Sequence, residues 1–87
     1  MAEARETKIK RLNMRSMRRG IKEMDLILSA YATDQLEAMD DAGLALYDSL
    51  LDENDHDLYQ WVTGQVAAPD RFVTLISDIQ MRFSPLS

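Results

Sequence analysis

Apolar residues recur at helical spacing along almost the whole chain: Ile21, Met24, Ile27, Leu28 and Tyr31; then Leu44, Tyr47, Leu50 and Leu51; then Phe72, Leu75, Ile76, Ile79 and Phe83. Steps of three and four return side chains to one helix face, and no segment of similar length alternates as a half-buried strand does. Punctuation separates these series. Gly20 follows a basic stretch, Asp40 is placed to cap a helix start, and the cluster "DENDHD" interrupts the apolar pattern after Leu51. The segment "DHDLYQWV" then offers Leu58, Trp61 and Val62 to one face and stops at Gly64, a residue suited to a left-handed cap. Pro69 and Asp70 open the last helix. The pattern predicts an all-α fold, a compact bundle of about five short helices near residues 5–17, 20–37, 40–53, 55–63 and 69–83.

The first of these helices has the thinnest apolar face, resting on Ile9, Leu12 and Met17 or Met14, so its ends are expected to fray. The closing "SPLS" is expected to be loose, since Pro85 cannot extend a helix. Tyr47, Tyr59, Trp61, Phe72 and Phe83 fall on apolar faces and are assigned to the core. Met14, Met17, Met24 and Met39 fill core gaps or adapt to a partner, because an unbranched thioether repacks easily; the core takes most of them. With 87 residues, 46% of them hydrophobic, the chain suits a single helical domain over 1–87. Cysteine is absent, which removes disulfide staples and thiolate metal sites and is compatible with a reducing compartment.

Charge changes the picture. The formal net charge of -5 conceals a division: residues 1–22 hold eight Lys or Arg against two acids, and residues 23–87 hold two against thirteen. No apolar run approaches the roughly 20 residues that cross a bilayer, and the first residues lack the apolar core of a signal peptide. Glu3 and Glu6 argue against a mitochondrial transit peptide, which avoids acids. The expectation is a soluble, cytoplasmic protein, monomeric when free.

Enzyme chemistry finds little to work with. The one histidine, His56, sits between Asp55 and Asp57, and neighbouring helical positions point in different directions, so the trio reads as a solvated helix start rather than a ligand set. Gly20, Gly43 and Gly64 stand alone and form no phosphate-cradling loop. Lys8, Lys10, Arg11, Arg15, Arg18, Arg19 and Lys22 could meet phosphates, yet the acidic remainder repels a polyanion and no base-reading motif is present. The basic stretch is equally a solvated face or a dock for an acidic protein surface.

Within "RSMRRGIKEMDLIL", Arg18 and Arg19 favour the negative end of one helix, Gly20 its cap, and Glu23 and Asp25 the positive start of the next. An i to i+4 pair between Arg19 and Glu23 is the weaker ordering and contributes only a few tenths of a kcal/mol. The element Arg19-Gly20-x-x-Glu23, followed by an acidic loop and then "DHDLYQWVTG", resembles the succinate dehydrogenase flavinylation factor family, small helical assembly factors of bacteria and mitochondria. The likeness covers about residues 11–83. Gly43 departs from the pattern where a helix-favouring polar or acidic residue is expected.

The resemblance implies a helper and not an enzyme. Such proteins promote covalent attachment of FAD to the flavoprotein subunit of succinate dehydrogenase, and in some bacteria of fumarate reductase, with the client supplying the attacking histidine. A binding protein favours that reaction by holding its client in a competent arrangement. It implies partner-binding roles for Arg19, whose fork would face client carboxylates or carbonyls, for Glu23, and for Gly20, which keeps the corner narrow through a positive-φ cap; Arg15 and Asp25 are second-tier candidates. No tightly bound cofactor is expected, FAD belonging to the client. The competing readings are a toxin-neutralising small acidic protein and a nucleic-acid-binding helical module.

Overall fold

The apolar stripe of Met24, Ile27, Leu28, Tyr31 and Ala32 is buried, and the helix that carries it, Lys22–Gln35, packs against most of the others. A computed structural model describes residues 3–83, and among these every regular element is helical. The order is α1 (Arg5–Arg15), α2 (Lys22–Gln35), a 3-10 turn (Leu36–Ala38), α3 (Asp41–Leu51), α4 (Asp55–Val62), a second 3-10 turn (Asp70–Phe72) and α5 (Val73–Phe83). Helix α2 touches α1, α4 and α5, while α1 also lies along α3 and α4 along α5. The radius of gyration, 12.2 Å, is that of a compact bundle of this length. The tail expected to be loose, 84–87, lies outside the described residues.

Local chemistry places the ends. Asp40 caps α3 by accepting the Gly43 N–H at 2.7 Å, and Asn54, one residue before the expected start, caps α4 by accepting from the His56 N–H at 2.8 Å. A Cβ on Gly43 would sit 3.2 Å from Asp40 Oδ1 and 3.3 Å from Met39 Cβ, so the glycine lets this cap close. Gly64 takes the left-handed conformation foreseen for it, at φ 80°. Other ends moved. α1 stops at Arg15 and α2 starts only at Lys22, because Ile21 is extended. The turn after Pro69 is 3-10 before it relaxes into α5.

Tyr31 and Tyr47 occupy the middle of the core with ring centres 5.9 Å apart, and Phe83 meets Tyr31 edge-on at 6.1 Å. Both hydroxyls find partners, as buried phenols must. Tyr47 shares a 2.6 Å hydrogen bond with the fully buried Ser16 hydroxyl, which also donates to the Leu12 carbonyl. Burial pushes the Tyr47 hydroxyl up to about 12. Tyr31 donates to Asp78 at 2.6 Å, and that bond holds the Asp78 carboxyl below the usual carboxylate range. Trp61 and Phe72 pack at 6.1 Å, while Tyr59 and Phe83 are only partly buried.

Helix α1 is anchored differently from the expectation. Leu12 is its buried apolar residue and Ile9 packs partly, but Met14 and Met17 face outward. Leu12 and part of Ile9 give eleven residues only a narrow apolar contact, and ion pairs to α3 add to that grip.

Candidate functional site

The basic face of α1 lies along acidic α3 and the loop beyond it. Arg5 reaches Asp41 at 3.4 Å and donates to the Glu37 and Met39 carbonyls. Arg11 bridges Glu3 and Asp48, each at 3.0 Å, and Arg15 joins Asp48 to Asp52. Arg5, Arg11 and Arg15 thus join the two parts of the charge division seen in the sequence, while Lys8, Lys10, Arg18 and Lys22 form no ion pair with another described residue. Arg11 and Arg15, two of the cations that could have met a phosphate backbone, are thereby spent within the fold.

Hydrogen bonds from Arg11 and then Arg15 hold the Asp48 carboxyl below the usual carboxylate range. A folded-state depression gives stability that is present above the ordinary value, about 4, and lost as pH falls through the folded one. We expect Asp48→Asn to remove about 1 kcal/mol of the stability lost on acidification between pH 6 and 3, measured by urea midpoints. Asp78, depressed in the same sense, keeps the remaining slope from vanishing.

The ladder ends at the α1–α2 corner, where Arg19 does not present its guanidinium to solvent. Its side chain is 12% exposed. Nε donates to Asp55 Oδ1 at 2.6 Å, one terminal nitrogen to the Arg15 carbonyl at 3.0 Å, and the other to the Leu51 and Glu53 carbonyls at 3.2 and 3.4 Å. One planar fork thus ties the C-terminal ends of α1 and α3 to the first residue of α4. The outward fork expected from the sequence is corrected on this point, and Arg19 bonds Asp55 and not Glu23.

Asp55, read from sequence as solvated, completes the clamp: its second oxygen accepts the Gly20 N–H at 2.6 Å. A Cβ on Gly20 would lie 3.1 Å from that oxygen. Glycine here eases a close approach and supplies no left-handed backbone, because the positive φ expected at Gly20 falls instead on Arg18, at 55°. The signal for Asp55 was its place at the head of "DHDLYQWVTG"; the two family-like blocks meet in this clamp.

The remaining candidates separate by exposure. Glu23, in the first turn of α2, is exposed and makes no ion pair with another described residue. Asp25 is half-buried and accepts from the Ser29 hydroxyl at 3.2 Å, and Ser29 also reaches the Ser16 carbonyl. Arg15 is committed to Asp48 and Asp52. Met17, Arg18 and Lys22 are exposed beside Gly20. What the corner offers is a backbone bend tied by Arg19 and Asp55, with the Glu23 carboxylate exposed; among the described residues no cluster of His, Cys, Asp or Glu suits a metal ion.

A family model described as the flavinator of succinate dehydrogenase matches residues 10–82. The chain is 47% identical over 73 residues to the mitochondrial succinate dehydrogenase assembly factor 2 of Meyerozyma guilliermondii, covering 80% of this chain and 54% of that protein. It is 45% identical over 71 residues to the protein of that name from Mycosarcoma maydis, covering 82% and 30%, and 41% over 70 residues to that of Schizosaccharomyces pombe, covering 80% and 50%. The chain thus spans about half, or less, of the length of these relatives. A match running from within α1 into the last turn of α5 carries the conclusion: this chain belongs to the family of succinate dehydrogenase flavinators.

Proposed function

We propose that the chain binds the flavoprotein subunit of succinate dehydrogenase, and of the related fumarate reductase, and promotes covalent attachment of FAD there without catalytic groups of its own. The observation that carries this reading is the corner: Arg19 and Asp55 lock its shape, while Glu23 stands exposed and uncommitted within the family-like motif. A rigid bend loses little conformational freedom when it docks, and a free carboxylate accepts charge-assisted hydrogen bonds from a client cation or amide. Arg19 acts in this scheme through shape. Gly20 lets the client approach the backbone, Glu23 makes the polar contact, and Arg15 and Asp25 support the two helix ends. FAD stays with the client, whose histidine forms the bond; this chain's part is to hold that subunit in the arrangement in which the two meet.

Nucleic acid and membrane are not partners on this reading: four of the α1 and corner arginines are spent internally, and no described helix is long and apolar enough to cross a bilayer. A cytoplasmic location is likewise proposed, with which the cysteine-free composition is compatible; the relatives named above carry "mitochondrial" in their names. The test is coexpression with the flavoprotein subunit in a host lacking its own factor, followed by acid-stable flavin fluorescence on the denatured subunit. Flavin attachment rises when this chain is present, and Glu23→Ala, with an unchanged melting temperature, lowers it by about tenfold. Equal attachment with and without the chain overturns the function.

A further inference from the structure

Among the described residues, three of the six strongly exposed large apolar side chains fall between Met14 and Leu26: Met14 at 72%, Met17 at 49% and Leu26 at 63%. They follow the corner in succession. Met17 donates its N–H back to the Met14 carbonyl at 3.2 Å, and Leu26 stands one turn into α2, four residues after Lys22. Interleaved with them are Lys10, Arg18 and Lys22, all exposed and none in an ion pair with another described residue. This contrasts with Arg5, Arg11, Arg15 and Arg19, each of which is neutralised within the fold. In a chain of net charge -5, three of the five Lys or Arg that form no ion pair with another described residue are thus interleaved with these apolar positions, Lys8 and Arg71 being the other two.

Arg18 adds an independent observation. Its φ of 55° is the left-handed conformation that a glycine adopts freely and a side chain with a Cβ does not. A non-glycine residue kept there, with its charged end in solvent, is the kind of local cost found at binding surfaces.

We propose that Lys10, Met14, Met17, Arg18, Lys22 and Leu26 form a docking strip for a protein surface with an apolar centre and an acidic rim, borne by the flavoprotein client. This rests on the function proposed above and extends the contact beyond Gly20 and Glu23. Flexible thioethers mould to the apolar centre, while the three cations speed encounter and set the register. The strip's charge complements an acidic rim and repels a basic one.

The experiment measures binding of purified, not yet flavinylated flavoprotein subunit of succinate dehydrogenase to the full chain at several salt concentrations. Combined Met14→Ser, Met17→Ser and Leu26→Ser weakens binding by about tenfold or more, with an unchanged melting temperature because the three side chains are exposed. Lys22→Glu alone weakens it at low salt and flattens the salt dependence. Arg18→Gly lowers affinity while the melting temperature stays the same or rises. Val66→Ser and Met81→Ser, exposed elsewhere, bind as the unchanged chain does. Client binding that Glu23→Ala weakens but the strip variants leave intact overturns this inference and spares the function. Absence of any client binding by the unchanged chain overturns both, and capture of a second copy or of nucleic acid through the strip overturns the partner assigned here.

Discussion

Replacing Asp55 by alanine is expected to lower folding stability by about 2–3 kcal/mol, roughly 10–20 °C in melting temperature for a domain of this size. The carboxylate holds two donors at 2.6 Å, Arg19 Nε and the Gly20 N–H. Its loss leaves a guanidinium that is only 12% exposed without a counter-charge. Removing one partner of a well-buried pair costs about 3–5 kcal/mol; the Arg15, Leu51 and Glu53 carbonyls still accept from Arg19, which places this case below that range. Arg19→Ala is expected to do comparable damage by a different route, stripping those three carbonyls of their donor. The double variant should cost less than the two singles together, by about 1–2 kcal/mol, since both remove the same contact. Flavin attachment to the client should fall in both singles even where they remain folded, because the bend that carries Glu23 loosens. Urea denaturation of the four proteins checks this, and a fully stable Asp55→Ala chain would show that Arg19 does not depend on its ion pair.

How much of this was visible in the sequence depends on the range over which each signal acts. The helices and their inward faces followed from periodicity, since Met24, Leu28 and Tyr31, or Leu44, Tyr47 and Leu51, are buried wherever a 3.6-residue repeat turns them toward one side. Boundaries suffered where tertiary contacts decide. Gly20 after a basic stretch looks like a helix cap, yet the left-handed residue is Arg18, whose identity carries no such signal, and Gly20 answers to an oxygen on Asp55, far along the chain. Arg11, Arg15 and Arg19 repeat every four residues, and Asp48, Asp52 and Asp55 nearly so. That two such stripes face each other emerges only when α1 is laid on α3. The motif itself was legible through resemblance, but sequence could not tell its buried cation from its exposed anion. The same blindness put Met14 and Met17 in competition for the core, because a methionine at helical spacing suits an interior and a docking face equally well.

Substitution at Gly20 is expected to separate the clamp from the docking face. With no left-handed backbone at this position, Gly20→Ala meets no φ penalty. Its Cβ would approach Asp55 Oδ2 to 3.1 Å, and that oxygen, fixed through Arg19, can yield only by a few tenths of an ångström. A cost of about 1 kcal/mol follows from such mild overpacking, with most flavin attachment retained. Gly20→Arg meets the same crowding at Cβ, so its stability should fall by a similar amount. Its long cationic side chain, however, must lie over the exposed backbone between Met17 and Glu23, where it keeps the client at a distance and pairs with the one free carboxylate of the motif. Attachment of FAD should then drop by about tenfold or more, out of proportion to the change in stability. Acid-stable flavin fluorescence read beside thermal melts distinguishes the two effects. Were alanine as harmful to attachment as arginine, the tight contact with Asp55 alone would account for the glycine; were arginine harmless in a folded chain, the client would have to dock elsewhere.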